Sequence, residues 1–112
     1  MKILHNSRCS KSRSALEILE KRGVDFEIIN YLTTPPTSKE LKEILGKLKM
    51  PAKDIIRKGE SVFKENYKGK TFTEDEWIEA MVKYPILIER PIIIDGEKAV
   101  IARPTEKIEE LF

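Results

Sequence analysis

Apolar residues along this chain follow two rhythms, and the changes between them mark the elements. "MKILH" is a short continuous apolar run that ends where polar residues begin at Asn6, the pattern of a buried strand. In "SRSALEILEKRG", Ala15, Leu16, Ile18 and Leu19 form a broad face at helical spacing, and Gly23 supplies the stop. "VDFEII" then sets Val24, Phe26 and Ile28 against Asp25 and Glu27, which predicts a second strand. Pro35 and Pro36 break the chain. Beyond them Thr37 and Glu40 make a capping-box pair, followed by the helical stripe Leu41, Ile44, Leu45 and Leu48. A short helix is predicted around "AKDIIRK", then an irregular stretch through Lys70. Thr73 and Glu76 repeat the capping pair before a helix with Trp77, Met81 and Tyr84 on one face, ended by Pro85. Ile92 to Ile94 form an all-apolar strand, Asp95-Gly96 predicts a hairpin turn, and Ala99 to Ile101 return antiparallel. A last helix starts at Pro104, with Ile108 and Leu111 facing inward.

The order is βαβ, a helical segment, then ββα. That is the layout of an α/β, thioredoxin-like fold: one four-stranded mixed sheet, parallel in its first half and antiparallel in its second. The expectation is a single domain over residues 1–112, with a helical insertion at about residues 37–84 between the halves.

Composition narrows the functions open to such a fold. With 40% hydrophobic and 36% charged residues in 112, the chain is globular and long enough for one core. Its 21 basic and 19 acidic residues nearly cancel, leaving +2, so nucleic acid and anionic membrane are disfavoured as partners. "MKIL" is interrupted too soon to be a signal-peptide core, and no apolar run reaches the length of a membrane span. A cytoplasmic protein is expected, with a monomer as the default. There is no glycine-rich phosphate loop, no metal-ligand pair and no Ser-His-Asp elbow.

One short stretch concentrates the chemistry. "HNSRCSKSRS" holds the chain's only cysteine, Cys9, and its only histidine, His5, among Arg8, Lys11 and Arg13. A free cysteine is more often a small core residue than a reactive one. The polar and charged neighbours reverse that weighting here, and so does the position at a helix opening, where unpaired N–H groups stabilise a thiolate. Arg13, one turn onward, can reach back; His5, if protonated, would act the same way, although a lone histidine at a strand end is more often structural. Ser12 stands where a C-x-x-C motif would carry its second thiol. Internal disulfide chemistry is therefore excluded, and any adduct on Cys9 must be released by an outside thiol, for which glutathione is the obvious candidate.

Arginines at the far end of the hairpin complete the picture. Arg90-Pro91 and Arg103-Pro104 flank the two strands, so antiparallel pairing brings Arg90 and Arg103 together. Pro91 precedes the third strand, where a cis peptide is expected to shape the pocket beside the thiol. Clustered guanidinium groups suit a tetrahedral oxyanion. Arg57, considered alone, reads as ordinary surface charge.

Taken together, "HNSRCSKSR", "YLTTPPT", "DIIRKGE", "FTEDEWIEAMVKYPILIERPII" and "ARPTE" resemble the glutathione- and glutaredoxin-linked arsenate reductases over essentially the whole chain. The resemblance implies that Cys9 attacks arsenate and that Arg57, Arg90 and Arg103 bind the oxyanion. It also implies that His5 helps keep Cys9 ionised, that Arg13 closes the cysteine motif, and that glutathione and glutaredoxin resolve the adduct. No bound cofactor or metal is implied. Ser7 departs from the motif, which has proline two residues before the cysteine. Two other functions fit the same fold: a glutathione-dependent thiol/disulfide reductase, and a non-enzymatic RNA-polymerase-binding stress regulator. Ser12 weighs against the regulator, many of which switch through C-x-x-C.

Overall fold

A computed structural model describes residues 1–112 throughout. The chain forms two compact units, residues 1–34 with 90–112, and residues 35–89. In the first, four strands make one sheet in the order β2-β1-β3-β4: β1 (Lys2–His5), β2 (Glu27–Asn30), β3 (Ile92–Asp95) and β4 (Lys98–Ile101). β1 runs parallel to β2 and antiparallel to β3, and β3 runs antiparallel to β4. β1 is thus paired on both edges. Ile3 and Leu4 are both buried, which is why its sequence is apolar without alternation.

α1 (Ser10–Arg22) buries Ala15 and Leu19 on Ile3 and Ile93, and the chain's last 3₁₀ segment, Thr105–Leu111, adds Ile108 and Leu111 to that core. Gly23 ends α1 in the left-handed region, at φ 67°, where a side chain would be strained. Two expectations shift in detail. β2 begins at Glu27, so Val24 and Phe26 pack on the core from the preceding loop, and Ile28 is half exposed rather than inward. An edge strand has one neighbour and need not bury every apolar position. The hairpin closes at the pair Asp95↔Lys98, so its two turn residues are Gly96 and Glu97, one place later than Asp95-Gly96. Gly96 takes φ 60°, the first central position where a type II′ turn favours glycine.

The second unit contains α2 (Ser38–Leu48), a 3₁₀ segment Ala52–Ile55, α3 (Ser61–Asn66), α4 (Glu74–Lys83) and a 3₁₀ turn Pro85–Leu87. Both expected capping boxes form. The Thr37 and Thr73 hydroxyls accept from the Glu40 and Glu76 backbone N–H groups, and each glutamate accepts from the threonine's own N–H. α3 replaces part of the stretch expected to be irregular; six residues with only Phe63 buried leave no periodic signal. No helix in the chain is long and apolar enough to cross a membrane.

Candidate active site

Cys9 is the N-cap of α1, with extended backbone at φ −94° and ψ 121°. Its N–H donates to the Asn6 carbonyl at 3.0 Å, and its own carbonyl accepts from the Arg13 N–H at 3.1 Å, so the backbone is fixed on both sides of the sulfur. The loop before it is built around Asn6. The Asn6 side-chain oxygen accepts the Arg8 N–H at 3.0 Å, and the Asn6 N–H donates to the buried Ser12 hydroxyl at 3.4 Å. Ser12, where a second thiol would stand, is therefore a hinge pin of the loop. Arg13 donates from Nη1 to the Ser7 carbonyl at 2.9 Å. That bond ties down the position at which the motif's proline is missing.

The open end of the β3–β4 hairpin supplies the cations. Both Arg-Pro bonds are cis, Arg90-Pro91 as expected and Arg103-Pro104 in addition. The Ala102 N–H donates to the Pro91 carbonyl at 3.0 Å, which extends the hairpin past Ile92↔Ile101. Arg103 Nε donates to the Arg90 carbonyl at 2.6 Å, and its Nη2 lies 3.3 Å from Cys9 Sγ. The two arginines are neighbours across the strands, and both guanidinium groups act on the sulfur.

Cys9 is only 8% exposed. Burial by itself raises a thiol's pKa, but the Ser12 N–H, the Arg90 guanidinium and the Lys11 N–H more than offset it and bring Cys9 down from 9.0 to about 7. That shift makes the thiolate accessible near neutrality. The stabilising groups are helix-start amides and a distant arginine, not the side chains of Arg8 and Lys11. His5 is buried at the end of β1 with Nδ1 lacking a hydrogen-bond partner, and burial followed by the Arg13 charge lowers its pKa from the ordinary imidazole value.

Arg57 belongs to the second unit. Ile56 and Ile88 form an antiparallel bridge, the Arg57 N–H donates to the Leu87 carbonyl, and the Glu89 N–H donates to the Ile55 carbonyl, each at 2.8 Å. This pairing sets Arg57 beside Glu89, and its guanidinium bonds Glu60 at 3.1 Å and Glu89 at 2.9 Å. Burial opposes its charge, but the two carboxylates outweigh that and raise its pKa. Residue patterns singled out Cys9, Arg90 and Arg103; they missed Asn6, although an Asn directly after a strand is an Asx-turn signal.

A mixed four-stranded sheet with one thiol at the opening of its first helix, and no second cysteine a turn later, defines a thioredoxin-like protein of the single-cysteine kind. Residues 4–111 match the ArsC family, and the chain belongs to that family. An arsenate reductase of Neisseria meningitidis serogroup A is 42% identical over 100% of this chain and 97% of its own. An arsenate reductase of Escherichia coli (strain K12) is 34% identical over 98% of this chain and 79% of its own. Among solved structures, an arsenate reductase from Vibrio cholerae superposes with a TM-score of 0.93 at 35% identity, covering 100% of this chain and 98% of that one.

Proposed function

We propose that this protein reduces arsenate to arsenite in the cytoplasm through a Cys9–arsenic adduct that glutathione and glutaredoxin resolve. The observation that carries the reading is the Arg103 Nη2 to Cys9 Sγ contact at 3.3 Å, which puts a permanent cation against a thiol already lowered to about 7. A dianion approaching a thiolate is repelled unless cations neutralise it, and guanidinium groups cannot lose their charge. Arg90 and Arg103 would hold the oxyanion while the sulfur attacks arsenic and one arsenate oxygen leaves as water. Glutathione then attacks the adduct, glutaredoxin takes over the mixed species, and arsenite departs. In the sum arsenic gains two electrons, two thiols lose them as a disulfide, and no metal or bound cofactor takes part. Arg57 as a third oxyanion ligand rests on the resemblance alone.

The test is arsenate-dependent NADPH oxidation with glutathione, glutaredoxin and glutathione reductase, run beside thioredoxin with its own reductase. The expected result is turnover only in the glutathione arm, none in Cys9→Ser, and a loss on the order of 100-fold in Arg103→Ala. No arsenate-dependent turnover with either reductant would overturn the substrate. Turnover with thioredoxin alone would overturn the coupling, and activity surviving in Cys9→Ser would overturn the mechanism.

A further inference from the structure

The second unit holds a cavity of about 620 Å³, within the size range of small-ligand sites. One wall is aromatic. Phe63 and Trp77 stack at 6.2 Å between ring centroids, Phe72 meets Trp77 edge-on at 4.7 Å, and Tyr67 meets Phe72 at 5.4 Å. A cluster of this kind ordinarily closes into a core. Here only Phe63 is buried, and Tyr67, Phe72 and Trp77 keep part of their rings exposed in the cavity.

The rest of the lining is basic. Lys53, Lys58, Lys64, Lys68 and Lys70 all border the cavity, and no aspartate or glutamate does. None of the five is ion-paired. In a chain with 19 acidic residues, this is not for want of carboxylates. Five exposed, unpaired lysines around partly open rings give the cavity a positive local potential that favours an anion. Ammonium groups are compact point charges suited to phosphate, and exposed aromatic edges and faces suit a planar ring.

We propose that this cavity binds a free nucleotide or a closely similar molecule, a planar aromatic ring carrying several negative charges. The ring lies against Trp77, Phe72 and Tyr67, and the lysines meet the phosphates. A polynucleotide is the poorer fit, because the chain's net charge is only +2 and the basic residues ring one cavity instead of forming a track.

Trp77 is the only tryptophan in the chain, so its emission reports on this site alone. Calorimetric titration with ATP as the probe, with Trp77 fluorescence followed in parallel, should show one site per chain and a change in emission. Adenosine and inorganic tripolyphosphate should each bind about ten-fold more weakly or worse. Lys64→Glu combined with Lys68→Glu, both exposed and so folding with unchanged Tm, should weaken ATP at least about ten-fold. The proposal is overturned if ATP does not bind, if tripolyphosphate equals ATP, or if the double variant retains full affinity. An oligoadenylate that binds more tightly than ATP overturns it in favour of a nucleic-acid contact.

Discussion

At the scale of single residues, Cys9 is a contest between burial and three donors, two backbone N–H groups and one guanidinium. Moving its pKa from 9.0 to about 7 favours the ion by on the order of 2–3 kcal/mol relative to a free thiol. Alkylation by iodoacetamide followed against pH should therefore show a midpoint about 7, moving up toward 9 in Arg90→Ala. A wild-type midpoint near 9 would remove the activated thiol. The sign for stability follows from the same shift. The folded value is depressed, so the stabilisation is fully present above about 9 and is lost as pH falls through about 7. Cys9→Ser should flatten that slope in urea titrations between those values. His5 was legible as part of the cysteine motif, but the direction of its pKa shift was not. That depends on how deeply the end of β1 is buried and on Arg13, and neither can be read from spacing.

At the scale of elements, the caps were the most legible feature because they are written in four consecutive residues. Thr73 to Glu76 satisfies two otherwise unpaired N–H groups at the start of α4. Thr73→Ala should cost about 1 kcal/mol in chemical denaturation, while Thr73→Ser should cost little. Equal losses in the two variants would place the effect outside the cap. The hairpin was legible in kind and off by one place in register, because Asp95 can close a turn as well as enter one, and its pairing with Lys98 of β4 decides which. α3 was illegible because a six-residue helix has too few positions to show a period. Arg90 and Arg103 were legible as a pair because antiparallel geometry is strict. Their link to Cys9 was not, since 94 positions separate Arg103 from the sulfur and only the folded sheet closes that gap.

For the whole molecule, one thiol in 112 residues has a stoichiometric consequence. Exposure to oxidised glutathione should add one glutathione per chain, read by mass spectrometry, with no internal disulfide at any ratio of oxidant. Cys9→Ser should add none. More than one adduct on the wild type, or any adduct on the variant, would show chemistry at some residue other than Cys9.

The β3–β4 hairpin presents its arginines at one end and Gly96-Glu97 at the other, a strand length of four residues away. Its exposed turn is thus separated from the Cys9 sulfur by the length of both strands. A dye, a surface tether or a short inserted epitope could be mounted at that tip, giving an engineer a handle on the enzyme that leaves the grip on the thiol as it is.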